Sequence, residues 1–209
     1  MNAWRQVTRG KVSYFQYSWG NSSAIYSLKN GQDDLIRQFE PVFLKQIHSN
    51  IIVDIDVQEE RTGDGLISTE KRNIGLKIAD CLPVYLFTPQ RTCIIHCGWR
   101  GIIGGIAKGA SNLLKEFHYV LGASIGPCCY EVKHDVVNQF TPDHQNALQQ
   151  RQGRHYLDLK AAVVNDLGKE NLLASLDFCT KCHPEYFYSH RRGDSERNYA
   201  LIAHNQTVD

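Results

Sequence analysis

A series of short apolar runs, separated by turn residues, constrains the fold of this chain more than any other feature. Several runs are apolar at nearly every position, which is typical of β-strands covered on both faces. Turn signals such as Gly63-Asp64-Gly65 and Thr88-Pro89-Gln90 separate them. The runs are VFLKQI at 42–47, IIVDIDV at 51–57, IGLKIA at 74–79, PVYLF at 83–87 and RTCIIHC at 91–97. The middle of the chain therefore predicts buried strands.

The period of the apolar residues changes after Gly101, where they recur three to four positions apart and predict a long helix. Another strand is predicted over 119–126, followed by a helix near 131–140 and a polar surface loop over 141–155. Asp158 can cap a helix over 159–167. The segments YFYSH and YALIAH near the end are predicted as a last strand pair.

Strands and helices that mix without strict βαβ alternation indicate the α+β class. No Gly/Ser-rich or Pro-rich linker divides the 209 residues, so we expect one domain over 1–209, with mixed β-sheets flanked by helices.

Composition and charge narrow the class of partner. Hydrophobic residues make up 42% of the chain, charged residues 22%, and the net charge is +1, which offers no field for collecting nucleic acid or anionic lipid. The sequence shows neither a secretory signal nor an apolar run of about 18 residues. We therefore expect a cytoplasmic protein, monomeric or homodimeric, with a small-molecule partner and no nucleic acid or membrane. Its seven cysteines cannot all pair, which favours free thiols or metal ligands.

Candidate metal ligands follow or close three of the apolar runs, namely His48, Cys81 and His96. If these strands lie in one sheet, their ends bring two imidazoles and one thiol together. Zinc prefers such ligands in tetrahedral geometry, and three protein ligands leave a fourth position open for catalysis. The alternative is that each residue is simply packed or solvated, since their spacing matches no short zinc motif.

The turn Gly98-Trp99-Arg100-Gly101 suggests an anion site. Free backbone N–H groups at a helix start attract an anion, and Arg100 could bind it bidentately. The pair Arg191-Arg192 could add contacts to the same anion. Ordinary surface ion pairs are the alternative interpretation for these arginines.

Four further cysteines allow a second metal site. Cys128, Cys129, Cys179 and Cys182 could hold a structural zinc, while inert buried thiols are the alternative interpretation. The stretch 179–183 also matches the C-x-x-C-H motif of c-type haem attachment. Haem is disfavoured because the chain has no export signal and its single methionine is Met1.

Taken together, these segments resemble the YfiH-like family, also called the laccase-domain or multicopper polyphenol oxidase family and, in bacteria, the peptidoglycan editing factor family. The segments that carry the resemblance are KQIHS at 45–49, GDGLIST at 63–69, ADCLPVYL at 79–86, HCGWRGIIGGI at 96–106, ASIGPCCYEV at 123–132, YLDL at 156–159, CT at 179–180 and FYSHRR at 187–192. The region from 20 to 43 departs from the family pattern.

The resemblance implies the YfiH-like fold, of the cysteine-hydrolase type, with His48, Cys81 and His96 as catalytic zinc ligands and Arg100 and Arg191 as substrate-binding residues. It also implies phosphorolysis of inosine, adenosine, guanosine and methylthioadenosine, and deamination of adenosine. Two alternatives remain: a hydrolase that uses Cys81 and His96 to edit peptidoglycan precursors, and a non-catalytic metal-binding relative. Copper is less suited than zinc, because laccase chemistry needs several copper ions and many histidines.

Overall fold

Two six-stranded β-sheets packed face to face form the centre of the computed structural model, which describes residues 3–69, 72–140 and 142–204. The first sheet contains β1 (Arg5–Arg9), β2 (Val12–Trp19), β3 (Ser22–Ser27), β4 (Val42–Phe43), β7 (Ile74–Ile78) and β15 (Asn198–His204). Their order across the sheet is β1-β2-β3-β15-β7-β4. Neighbours are antiparallel except β4 and β7, which are parallel.

The second sheet contains β5 (Ile52–Asp54), β6 (Gly65–Ser68), β8 (Leu82–Phe87), β9 (Thr92–Cys97), β10 (His118–Leu121) and β14 (Leu172–Ser175). Their order is β14-β10-β8-β9-β6-β5. The central strands are antiparallel, whereas β10 with β14 and β5 with β6 are parallel. Each apolar run predicted as a strand contains one, although the first two runs form shorter strands than predicted.

A small third sheet replaces most of the loop predicted over 141–155. It contains β11 (Glu131–Val132), β12 (Leu148–Arg151) and β13 (Arg154–Leu157). A 3-10 helix over Pro142–Ala147 lies directly before β12. Residue 141 lies outside the described residues. The loop prediction was wrong because backbone pairing between β12 and β13 orders a polar segment that has no apolar period.

Five α-helices lie within the described residues: α1 (Gln32–Phe39), α2 (Trp99–Ile103), α3 (Ile106–Leu114), α4 (His134–Val137) and α5 (Leu159–Leu167). The predicted long helix after the turn is thus two helices, separated at Gly104 and Gly105. The cap of α5 is confirmed, since the Asp158 side chain accepts hydrogen bonds from the backbone N–H groups of Lys160 and Ala161 at 3.0 and 3.1 Å.

Two further predictions near the C-terminal half were wrong. The helix predicted near 131–140 is only α4, because the residues before it pair with β13. The segment YFYSH is not a strand, and its expected partner β15 pairs instead with β3 and β7. Long-range pairing decides both outcomes, and local periodicity cannot report it.

Four layers result, because each large sheet also carries helices on its outer face. One apolar cluster lies between the sheets, a second joins the other face of the second sheet to α2, α3 and α5, and a third joins the first sheet to α1. Strands buried on both faces need apolar residues at successive positions, which explains the near-continuous runs. The single-domain α+β class, with mixed sheets and flanking helices, is confirmed.

The two sheets together determine where the candidate ligands lie. Along β9, Cys93, Ile95 and Cys97 belong to the cluster on the helix side, whereas Ile94 belongs to the cluster between the sheets. His96 shares the face of Ile94, because side chains alternate along a strand. The chain crosses from the first sheet to the second over residues 79–81, and this crossing ends at Cys81.

His48 lies in the loop that follows β4 of the first sheet. The expectation that three strand ends of one sheet supply the ligands was therefore wrong, since the site forms at the junction of two sheets.

Within the described residues, no helix is both long enough and apolar enough to cross a lipid bilayer.

Candidate metal centre and the cavity it faces

The side chains of His48, Cys81 and His96 come together at the junction of the two sheets. Their potential ligand atoms all lie within 4.8 Å of one another. The two imidazole rings have centroids 4.9 Å apart and are inclined at 68°. Two imidazoles and one thiol at this spacing form a donor set that can hold a transition-metal ion.

A buried carboxylate, Asp64, organises this donor set and was missed as a site residue by sequence reasoning. Its Oδ1 lies 2.8 Å from His96 Nδ1 and accepts the backbone N–H of His48 at 3.0 Å. Its Oδ2 accepts the N–H and the hydroxyl of Ser49 at 2.6 and 2.8 Å. Asp64 thus fixes the ring of one candidate ligand and the backbone of another, as carboxylates behind metal-bound histidines do. In the sequence, Asp64 stands out only as part of the turn Gly63-Asp64-Gly65. That pattern predicts a turn and gives no sign of the contact with His96.

The same contacts shift the pKa values of the site. Burial raises the pKa of Cys81, but the neighbouring His96 and His48 lower it more, and the result is about 6. Burial lowers the pKa of His96, but Cys81 and Asp64 raise it more, to about 9. The pKa of Asp64 falls well below its usual range, because hydrogen bonds from His96 and Ser49 outweigh its burial. At neutral pH the metal-free site therefore holds a thiolate beside an imidazolium.

The backbone makes room for these side chains at Gly98. A Cβ atom at this position would lie 3.0 Å from Cys81 Sγ and in ordinary contact, at 3.5 Å, with His48 Cδ2, so a larger residue would press on the sulfur donor. His48 itself has a φ of 59°, in the left-handed region that few non-glycine residues occupy. Its hydrogen bond to Asp64 stabilises this conformation. Strain of this kind is often found at functional sites.

A cavity of about 570 Å³ opens directly onto the three side chains, within the range of small-molecule sites. Basic side chains are prominent in its lining: Lys77, Arg100, Arg191, Arg197 and His190. Sequence reasoning had identified only Arg100 and Arg191 among these. The cavity is therefore suited to an anionic or phosphate-containing ligand beside the candidate metal ligands.

Arg100 and Arg191, both exposed, each lie against an aromatic ring of the cavity wall. The Arg100 guanidinium carbon lies 4.5 Å from the ring centre of Trp99, and that of Arg191 lies 5.0 Å from the ring centre of Tyr130. Arg191 also donates to the carbonyl of Glu131 at 3.0 Å. The expected helix-terminus site is not supported, since α2 has only five residues and a correspondingly small dipole. Side chains supply the positive charge instead.

Asp80, next to Cys81, does not bond either histidine. Its Oδ1 accepts the hydroxyl of Thr180 at 2.6 Å, and its Oδ2 accepts the backbone N–H of Arg191 at 2.7 Å. Asp80 has a φ of 82° and is 6% exposed. It therefore ties the loops carrying Thr180 and Arg191 to the segment that carries Cys81.

A second group of potential ligands contains the other four cysteines singled out from the sequence. The sulfur atoms of Cys128, Cys129, Cys179 and Cys182 all lie within 4.8 Å of one another. Cys128 and Cys182 are exposed and the other two are half-buried. The alternative interpretation was therefore wrong in taking these thiols as buried.

Comparison with known proteins identifies relatives over most of the chain. Residues 30–205 match the family model described as multi-copper polyphenol oxidoreductase laccase. Over 167 residues the chain is 33% identical to a purine nucleoside phosphorylase of Clostridium acetobutylicum, with 72% of this chain and 70% of that protein covered. It is 30% identical to adenosine deaminase RL5 of an unknown prokaryotic organism, with 67% and 62% covered.

Two further comparisons concern length and fold. Matches to the mouse and human proteins named purine nucleoside phosphorylase LACC1 are 28% identical and span 39% of those longer chains. The crystal structure of YlmD from Geobacillus stearothermophilus superposes with a TM-score of 0.84 at 22% identity, covering 99% of this chain and 100% of that one. The structure therefore shares its fold with YlmD over nearly its whole length, including the N-terminal strands that precede the matched family region.

Proposed function

The chain belongs to the family of multi-copper polyphenol oxidoreductase laccases, and from that premise we propose that it is a zinc-dependent purine nucleoside phosphorylase that also deaminates adenosine. The substrates would be inosine, adenosine, guanosine or methylthioadenosine, together with phosphate. The observation that carries the proposal is the convergence of His48, Cys81 and His96 at the floor of a cavity rich in cations. The names of the relatives in Clostridium acetobutylicum and of RL5 support the same two reactions.

We assign His48, Cys81 and His96 as the metal ligands and catalytic core. A zinc ion held there would supply a Lewis acid with one open coordination position. Asp64 would keep the Nδ1–H of His96 directed at its own oxygen, so that Nε2 is the nitrogen that would lose its proton and bind the ion. The thiol of Cys81 is already a thiolate at neutral pH, so the proton released when a metal binds would come from the imidazolium of His96.

Arg100 and Arg191 would bind the phosphate in phosphorolysis, with Lys77 and Arg197 close by on the cavity wall. Phosphate oxygen attacks C1′ of the ribose, the bond from C1′ to the purine nitrogen breaks, and the base leaves with a proton. The products are the free base and ribose 1-phosphate, or 5-methylthioribose 1-phosphate when methylthioadenosine is the substrate. Guanidinium groups hold the attacking phosphate and reduce the repulsion between its charge and the electron-rich base.

Deamination of adenosine would use the same cavity with water in place of phosphate. Water adds to C6 of the adenine ring, and ammonia leaves to give inosine. The cavity of about 570 Å³ accommodates a nucleoside, and Trp99 and Tyr130 contribute aromatic side chains to its lining.

The low pKa of Cys81 also supports a second candidate function. A thiolate beside an imidazolium is typical of cysteine nucleophiles, so Cys81 and His96 could serve a hydrolase that edits peptidoglycan precursors. The two functions differ in the state of Cys81, because a metal-bound thiolate is not a free nucleophile. Alkylation of Cys81 in protein that retains its full metal content would favour the hydrolase.

Zinc suits this donor set better than copper. Multicopper chemistry needs many imidazoles, whereas the groups of potential ligands within the described residues contain two histidines in all. Phenol oxidation that appears only when copper is added would be adventitious. The absence of nucleic-acid and membrane partners, and a monomeric or homodimeric state, stay predictions from the sequence.

The test is phosphate-dependent release of hypoxanthine from inosine by purified protein of known zinc content, with His48→Ala as the variant. We expect His48→Ala to lose one equivalent of zinc and at least about 1000-fold in rate, as loss of a Lewis acid worth several kcal/mol implies. The matched control is His118→Ala, an exposed histidine at the start of β10, which should change neither quantity.

Two results would contradict the proposal. If His48→Ala released base at the wild-type rate, His48 would not be required for the reaction, and its assignment as a catalytic metal ligand would be wrong. If zinc were present at the site but no base were released, the hydrolase and the non-catalytic protein would be the remaining interpretations. Binding of inosine without turnover would then favour the non-catalytic protein.

A further inference from the structure

The four cysteines outside the cavity have the spacing of a tetrahedral metal site. In a zinc tetrathiolate, Zn–S bonds of about 2.3 Å place the sulfur atoms about 3.8 Å apart. Here Cys128 Sγ lies 3.7 Å and Cys129 Sγ lies 3.3 Å from Cys182 Sγ, and no pair among the four exceeds 4.8 Å. Each sulfur is thus close to all three others. Two separate pairs of cysteines would not need this arrangement, whereas four ligands of one metal ion would.

The fold explains why cysteines so distant in sequence meet. Strands β10 and β14 are parallel neighbours, so the turns that follow them leave the same edge of the sheet. One turn carries Cys128 and Cys129, and the other carries Cys179 and Cys182. Ser124 and Cys179 form a bridge between the two segments, and the N–H of Thr180 donates to the carbonyl of Ser124 at 3.0 Å.

Gly126 allows the two turns to approach closely. A Cβ atom there would lie 3.3 Å from Cys128 Sγ and 3.4 Å from Cys179 Cβ. The Gly126 N–H donates to Cys179 Sγ at 3.2 Å, which is the kind of backbone hydrogen bond that stabilises a metal-bound thiolate. The spacing Cys179-x-x-Cys182 is itself common among zinc ligands.

Cationic side chains surround both turns. Arg151 donates to the carbonyl of Pro127, beside the first cysteine pair. Arg192 donates to the carbonyls of Thr180 and Lys181 at 3.0 and 3.2 Å, between the second pair. A zinc ion with four thiolates carries a net charge of −2, and these guanidinium groups, of which that of Arg192 is also paired with Asp194, offset part of it.

We propose that Cys128, Cys129, Cys179 and Cys182 bind a structural zinc ion that joins the turn after β10 to the turn after β14. Four protein ligands close the coordination sphere, so the ion has a structural role. Its effect extends to the cavity, because Thr180, between two of the ligands, holds Asp80 beside Cys81. The proposal does not depend on the reaction that the cavity catalyses.

The test is the zinc content per chain of the full-length protein, purified with a thiol reductant, for the wild type and four variants. We expect Cys182→Ser to lose one equivalent of zinc and to melt at a lower temperature. His48→Ala should lose a different equivalent, so that the double variant loses both. The matched control Cys93→Ala removes a fully buried thiol of β9 outside both groups and should lose none. Equal zinc content in wild type and Cys182→Ser would overturn the proposal.

A second measurement remains decisive if Cys182→Ser does not fold. Wild-type protein is denatured and alkylated without reductant, with and without a chelator. If zinc holds the four thiols, they become reactive once the chelator is present. Thiols that react only after reduction would be disulfides, which would overturn the proposal. Cobalt added to metal-stripped wild type should also give the charge-transfer absorption of a tetrathiolate site, and its absence would contradict the proposal.

Discussion

The molecule contains two groups of potential metal ligands that differ in composition, origin and surroundings. The group of His48, Cys81 and His96 combines nitrogen and sulfur, lies at the junction of the two sheets and faces a cavity. The cluster of four cysteines contains sulfur alone and lies between two turns at one edge of the second sheet. Three donors leave a coordination position open, whereas four donors leave none. A catalytic metal site and a structural one therefore differ in the number of ligands and in what those ligands face, more than in their residue types.

Thiol reactivity should show the largest contrast, between Cys81 of the first group and Cys129 of the second. In metal-free, reduced protein at pH 7, Cys81 with a pKa of about 6 is mostly thiolate. Burial raises the pKa of Cys129 to about 11, so only a very small fraction of it ionises. After allowing for the weaker nucleophilicity of a low-pKa thiolate, Cys81 should react roughly 30- to 100-fold faster.

The measurement is the rate of alkylation of each cysteine, followed by peptide mapping between pH 5 and 9. The rate at Cys81 should rise through about pH 6, because alkylation requires the thiolate, and should then level off. Cys93, whose pKa burial raises to about 12, is the unreactive control. Equal rates at Cys81 and Cys129 would contradict the electrostatic difference between these two thiols.

Replacement of the carboxylate behind His96 should have the next largest effect. Asp64→Asn keeps the shape but removes the charge that orients and stabilises the ring, so metal affinity and turnover should each fall by roughly 10- to 100-fold. Asp166→Asn is the matched control, since Asp166 is an equally buried carboxylate 3.0 Å from His144 Nε2 and does not line the cavity. Metal titration and steady-state rates measure both. Loss of metal from both variants would indicate general destabilisation.

Two adjacent arginines allow the smallest and most direct test. Arg191 lines the cavity, whereas Arg192 donates to carbonyls of the turn that holds Cys179 and Cys182. Arg191→Ala should raise the KM for phosphate about 10-fold, the loss of one charge-assisted contact, with little change in melting temperature. Arg192→Ala should lower the melting temperature and leave the KM for phosphate unchanged. If Arg192→Ala raised the KM for phosphate and Arg191→Ala lowered the melting temperature, the roles assigned to the two arginines would be wrong.

Much of the fold was predictable because strands buried on both faces have apolar residues at nearly every position. The apolar runs gave β4, β5, β7, β8 and β9, and the Asp158 cap gave α5. Strands β1, β2, β3, β6 and β14 were not predicted. Strands β12 and β13 were not predictable, since backbone pairing orders them in a polar segment without an apolar period. The break between α2 and α3 was also missed, because apolar residues keep their spacing across Gly104 and Gly105.

The candidate site was predictable in its residue types but not in its architecture. Strand ends pointed to His48, Cys81 and His96, yet the ligands come from two sheets, and periodicity cannot say which strands share a sheet. Asp64 was missed because its role depends on contacts with residues far along the chain. The meeting of the four cysteines depends on the parallel pairing of β10 and β14, which are separated by about 50 residues of sequence.

The short crossing over residues 79–81 also has a mechanical consequence. It leaves the first sheet at Ile78 and enters the second at Leu82, so it has almost no slack. Any shear of one sheet against the other therefore acts on the distance from Cys81 to His48, which follows β4 of the first sheet, while His96 on β9 stays paired with the strand that Cys81 enters. An ion bound at this junction would resist such sliding, and hydrostatic pressure, which compresses the space between sheets, would be transmitted to its coordination.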